Sequence, residues 1–422
     1  MKHQTKALSA GCIFLAIFLC GLIMLPQLVQ ASTVTATVTV GHLPYAVAFT
    51  PDGKYAYVAC VDKVSVINTA TNKVTATINV EGSVGIAITP DGKYVYVTNA
   101  VSSDKAESNF VSVISTATNK VTATISLGGA PTSVAINPNG AFAYVTENDL
   151  IDNRGVGLVY VISTSTNKVA TKITVNGSPI AVAVTLSGEY AYVLSQDSVS
   201  SVGGVANGTV SVISTSSNTV NATVTVGSGP SAVALSPNGA YVYVTDGNSE
   251  VSVINTAKNT LMATVTGLNT PNGIALTPDG AYAYVTNADS TIGGNGTVSV
   301  INTSTNSVDE TLTVGVNAYG VAVAPNGEYV YVTNFDDGTV SVISTGTNGA
   351  PTATSGSPQA PEFPAQWLIV ALLISIIIVL AVIIAVKELG KKNSLKTSDE
   401  NQALPNQPNQ SCEILTFFLI FS

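Results

Sequence analysis

From Ser32 onward, apolar residues fall in short alternating runs broken by turn residues every few positions. The stretch from Ala232 to Thr266 shows the unit: Ala232 to Ser236, Ala240 to Thr245, Val251 to Ile254 and Leu261 to Thr266, each bounded by turn-forming residues. Alternation over so few residues predicts half-buried β-strands and leaves no room for a helix. Tyr-Val, followed by a polar residue in five copies, marks the period, at Tyr57-Val58, Tyr96-Val97, Tyr144-Val145, Tyr192-Val193, Tyr243-Val244, Tyr284-Val285 and Tyr331-Val332, which is seven copies 39 to 51 residues apart. One four-stranded antiparallel unit per repeat is the signature of a propeller blade.

The turns support this reading. Between first and second strands stands Pro-Asp-Gly or Pro-Asn-Gly, at 51–53, 90–92, 138–140, 237–239, 278–280 and 325–327, with Leu186-Ser187-Gly188 in the fourth repeat. Proline fixes φ, the Asx residue closes the turn and glycine takes positive φ. Third and fourth strands are joined by Thr-x-x-Asn, which places Asn72, Asn119, Asn167, Asn218, Asn259 and Asn306 where a left-handed residue is wanted. First strands mix small and branched residues, as in Gly320-Val321-Ala322-Val323, suited to a crowded axis. The seventh repeat ends after its third strand, Val340 to Ile343, and a spare fourth-strand pattern, Thr33 to Val40, precedes the first repeat. The chain is therefore expected to be all-β, a seven-bladed β-propeller over 32–345 closed by its N-terminal strand in the last blade, which removes both sheet edges.

Both ends carry targeting patterns. Residues 1–31 read as a signal peptide, with Lys2 and Lys6, an apolar stretch from Ala7 to Leu25, and Val29-Gln30-Ala31 before the cleavage point. Residues 346–365 form a stalk rich in Pro, Gly, Ser and Thr. Residues 366–386 are an unbroken apolar run expected to be a single transmembrane helix. Lysines at 387, 391, 392 and 396 then assign 387–422 to the cytoplasm and the propeller to the outside. The expected location is the cell surface, as a single-pass membrane protein.

At its Tyr-Val-Thr-Asn motifs, complete at 96–99, 284–287 and 331–334, the body resembles the YVTN β-propeller repeat family of archaeal surface-layer and surface-antigen proteins, related to bacterial YncE-like propellers. The resemblance implies the propeller fold and leaves activity open. Pro361, Glu362 and Phe363, followed by an apolar run and lysines, resemble a PEF-type C-terminal sorting signal, which implies recognition by an archaeosortase-type membrane peptidase.

Composition narrows the chemistry. The net charge is −9 and charged residues make up 10% of the chain, with no basic cluster in the body, which argues against nucleic acid. The body holds one histidine, His42, and one cysteine, Cys60, too little for a multi-histidine metal centre or a Ser-His-Asp relay. No catalytic, cofactor or metal residue is assigned, no cofactor is expected, and the chain is not expected to be an enzyme. Second-to-third loops vary in length and share one face, the expected interaction surface. Asp149, Asp152 and Asn153, and separately Asp336 and Asp337, offer oxygen ligands without the spacing of a calcium loop. Repeat tyrosines such as Tyr94 and Tyr96 read as blade packing. Asn207, Asn221, Asn295 and Asn302 head sequons and are candidate glycan acceptors. The reading that follows is a structural or binding and adhesion module of the cell envelope, with envelope proteins or polysaccharides as partners. Its alternative is an exported lactonase-like hydrolase using acidic loop residues such as Asp149, Asp152 and Asp336.

Overall fold

The computed structural model describes residues 31–100, 109–148, 156–196, 207–247, 249–288 and 294–346. Within them, 28 strands build seven four-stranded antiparallel sheets. No helix among the described residues is long and apolar enough to cross a membrane. The leader up to Gln30, the stalk from residue 347, the apolar run 366–386, the tail 387–422 and the Pro361-Glu362-Phe363 motif lie outside the described residues.

Blades 1 to 6 each run A-B-C-D in chain order, as in blade 1 with Pro44–Phe49, Tyr55–Cys60, Lys63–Asn68 and Lys73–Ile78. Blade 7 comprises Ala318–Val323, Tyr329–Asn334 and Thr339–Ser344, and its fourth strand is Thr33–Thr39, antiparallel to the third with Val38 opposite Val340. Every A strand contacts the A strands of both neighbouring blades, including blade 7 against blade 1, so the A strands form a closed inner ring.

Burial follows from that stacking. B strands such as Tyr329–Asn334 are buried at every position after the first, because each is covered by a blade on both sides. D strands such as Lys73–Ile78 alternate, since they lie on the rim. The core is divided into seven clusters, one per seam; at the closing seam Val38, Val340, Val342 and Tyr331 pack on Val47, Ala56, Val58 and Ile67. Each blade thus depends on its two neighbours for burial.

The repeat motif explains itself in these seams. Its tyrosine is buried and reaches the next blade: the Tyr57 hydroxyl donates to Asn119 Oδ1 at 2.7 Å, Tyr96 to Asn167 at 2.7 Å and Tyr331 to Asn72 at 2.6 Å. Those asparagines have φ of 51–53°, the left-handed conformation expected of the Thr-x-x-Asn turn. The threonine repairs a bulge in its own A strand and ties it to the next blade. Thr286 Oγ1 accepts from the Gly273 amide at 2.8 Å and donates to the Tyr319 carbonyl at 2.6 Å. A Cβ on Gly273 would lie 2.5 Å from that carbonyl, so the small residues of the A strands reflect backbone meeting backbone near the axis. Tyr94 corrects the packing expectation for the first tyrosine of each pair. It is 41% exposed, at the foot of its strand, while Tyr96 is 1% exposed.

The turns between A and B and between C and D share one face, here called the turn face. The B-to-C loops and the D-to-A blade connections share the other, the loop face.

Candidate functional site

On the loop face each B strand carries the fourth motif residue at or next to its end, buried beneath the blade connection: asparagine in three blades (Asn99, Asn287, Asn334) and Cys60, Glu147, Ser195 and Asp246 in the other four. In blade 7, Asn334 shows the parent arrangement. Its Nδ2 donates to Thr339 Oγ1 at 2.8 Å and Ser341 Oγ at 2.9 Å, and its Oδ1 accepts the Gly315 amide at 3.0 Å. A Cβ on Gly315 would come within 2.5 Å of Asn334 Cγ, so glycine lets the connection close over the side chain.

Two blades place a carboxyl group there. Glu147 accepts from the Tyr160 hydroxyl at 2.9 Å, and that hydroxyl accepts from the Gly128 amide at 3.1 Å; Tyr160 stands where the other blades have serine, so the longer acid is matched by a longer partner. Asp246 is wholly buried and accepts from Ser252 Oγ at 2.6 Å. Burial pushes its carboxyl up to about 6, partly offset by the Ser252 hydrogen bond. The folded protein therefore holds a proton at Asp246 through a range in which the unfolded chain has lost it. Its contribution favours folding at low pH, falls as pH rises from about 4 to 6, and is a net cost above that. Asp246→Asn restores the repeat's own residue and is expected to stabilise the protein by about 1–2 kcal/mol at pH 7. It should change little below pH 4. Urea unfolding midpoints at the two pH values check this, and an Asn variant destabilised at pH 7 would refute it.

Nearer the axis, the A-strand bulge carries Tyr45 in blade 1 and Tyr319 in blade 7, with ring centroids 5.3 Å apart and edge-to-face. Phe335, just past the B strand of blade 7, stands 4.8 Å from Tyr45 and 5.5 Å from Tyr319. The three rings form a half-buried aromatic cluster over the closing seam. Burial raises the Tyr319 hydroxyl above its usual value of 10, so it remains a donor at neutral pH. Next to Phe335 come Asp336 and Asp337. Asp337 Oδ2 accepts the Val316 amide at 2.7 Å and braces the blade connection. Asp336 is exposed, and no hydrogen bond or ion pair among the described residues holds it.

The structure thus separates the acidic pair: one residue is structural and the other is available. Asp149, Asp152 and Asn153 lie outside the described residues. Among the described residues no group of three His, Cys, Asp or Glu side chains is placed to hold a metal ion. Asn207 and Asn295 open C strands at the loop face, Asn221 lies on a rim strand, and all three are exposed. Asn302 is half-buried and engaged, its amide donating to Asp309 Oδ2 and its oxygen accepting from Ser304. The buried acids and the aromatic cluster went unassigned in the sequence. The acids were visible as departures from the motif's asparagine, whereas the cluster joins residues 45, 319 and 335 only through ring closure.

Comparison with known proteins adds three findings. A family model described as lactonase, 7-bladed beta-propeller, matches residues 248–362. No curated protein matches the chain. A solved chain of Kuenenia stuttgartiensis hydrazine synthase superposes with a TM-score of 0.63 at 22% identity, over 74% of this chain and 97% of that one, a likeness of fold. The lactonase match overturns the expectation of a chain that is not an enzyme: the aligned segment contains blade 6 and the first three strands of blade 7, and with them Tyr319, Phe335 and Asp336, while Tyr45 and the closing strand lie outside it.

Proposed function

We propose that this protein is a lactonase-like hydrolase whose reacting groups stand on the loop face over the seam between blades 7 and 1. The carrying observation is that the lactonase match falls on the segment that brings an untethered carboxylate, Asp336, next to an aromatic cluster open to solvent. In this reading the rings of Tyr45, Tyr319 and Phe335 take up the apolar part of a lactone. Asp336 removes a proton from a water molecule as that water attacks the ester carbonyl. The ring C–O bond breaks, the alkoxide takes up a proton, and a hydroxy acid leaves. The carboxylate product meets an acidic surface, which favours its departure.

The same proposal places the hydrolase outside the cell. The leader, the stalk and the apolar run followed by lysines support export and a membrane anchor, and Pro361-Glu362-Phe363 supports processing by a sorting peptidase. Envelope proteins and polysaccharides are then its surroundings.

The test is turnover of the purified full-length chain on γ-butyrolactone, δ-valerolactone and dihydrocoumarin, followed by proton release. Hydrolysis of at least one above the uncatalysed rate is expected, fastest with the aromatic lactone. No turnover on any of the three overturns the reading.

A further inference from the structure

The turn face carries a second feature, independent of the hydrolase reading and on the opposite side of the disc. Every A-to-B turn delivers an aromatic residue to the start of strand B, and Tyr55, Tyr94, Phe142, Tyr190 and Tyr329 are each 37–41% exposed there. At most seams the turns approach each other beneath these rings and narrow the space there, because the proline of one turn touches the glycine of the next. A Cβ on Gly92 would lie 3.4 Å from Pro51, one on Gly280 3.2 Å from Pro237, and one on Gly327 3.4 Å from Pro278.

The seam between blades 4 and 5 lacks this contact. The fourth turn reads Leu186-Ser187-Gly188, Leu186 is 67% exposed, and a Cβ on Gly239 would meet nothing within 4 Å. The tyrosine-to-asparagine link is open there, as it is at the two flanking seams: Asn259 Oδ1, like Asn218 Oδ1 and Asn306 Oδ1, is buried without a hydrogen-bond partner, where Asn119 and Asn167 each receive a tyrosine hydroxyl. Only at Asn259 does the open link coincide with a missing turn-to-turn contact. The result is a groove of about 420 Å³ lined by Leu186, Ser187, Glu189, Tyr190, Asn221 and Asn238, with Asn259 in its wall. Its counterparts between blades 1 and 2 and between blades 5 and 6 measure about 310 and 120 Å³.

We propose that the groove between blades 4 and 5 binds an uncharged saccharide. A tyrosine ring offers a flat apolar face for the C–H side of a pyranose, and the amide, hydroxyl and carboxylate side chains around it suit the sugar's hydroxyls. The buried Asn259 oxygen is costly without a donor, and a sugar hydroxyl supplies one. The volume falls within the roughly 300–1,000 Å³ of small-ligand pockets. No lysine or arginine lines it while Glu189 does, which disfavours phosphorylated, sulfated and uronic sugars.

The experiment titrates the full-length chain with maltotriose, mannotriose, chitotriose and trigalacturonate, using calorimetry and saturation-transfer NMR. At least one neutral trisaccharide is expected to bind. Tyr190→Ala should weaken it about tenfold or more, and so should Leu186→Pro, which restores the proline of the other turns and narrows the groove. Tyr94→Ala, the same position at a narrowed seam, should bind like the parent, and lactone turnover should be unchanged throughout. The proposal is overturned by absence of neutral binding up to about 10 mM, by tighter binding of trigalacturonate, by full affinity in Leu186→Pro, or by a covalent glycan on Asn221 of the native chain.

Discussion

Val38→Asp is expected to lower the unfolding midpoint by about 8 °C or more, while Val34→Asp on the same strand shifts it by no more than about 2 °C. Val38 is 6% exposed and sits opposite Val340 in the cluster that joins blades 7 and 1. Aspartate there forfeits about 1.5–3 kcal/mol of valine burial and also buries a carboxylate without a partner. A cost of about 4 kcal/mol follows. Val34 lies four residues earlier and is 40% exposed, so the same charge meets water. The difference between the two variants separates loss of closure from a general effect of charge on the strand. Deletion of Thr33–Thr39 goes further, for it leaves Thr339–Ser344 with an unpaired edge, and self-association in size-exclusion chromatography is the expected result. Differential scanning calorimetry of both point variants decides the matter, and equal midpoints would show that the strand closes nothing.

Asp336→Asn is expected to reduce kcat for the best lactone about a hundredfold, with KM within about threefold. The amide keeps size and polarity but cannot accept the water's proton, so substrate binding by the aromatic cluster persists while the chemical step fails. Asp337→Asn is the matched control. That carboxylate accepts the Val316 amide, and an amide oxygen accepts it more weakly without the charge, so the variant should show a slightly lower unfolding midpoint with turnover nearly intact. Full activity in the Asp336 variant would move the reaction away from this seam.

Much of the architecture was legible because it is periodic. Seven Tyr-Val pairs fixed the blade count, the Pro-Asx-Gly and Thr-x-x-Asn turns placed four strands in each, and the unmatched strand at Thr33 announced the closure. Local chemistry sufficed for those inferences, since turn geometry and period-two burial depend on neighbours a few residues away. The motif's threonine and asparagine were recognisable as a pattern but not as a mechanism, because their partners belong to the next blade or to a bulge in the first strand.

What only the tertiary structure decided lies at the seams. There residues 45, 319 and 335 become one aromatic cluster, Asp337 becomes a brace while its neighbour Asp336 stays available, and Asp246 loses its water. The single departure from proline at Leu186 opens a groove for the same reason. A repeat sequence specifies each blade by itself, but the environment of a side chain at a blade's edge is set by a neighbour that is distant in sequence or, at the closing seam, at the other end of the propeller.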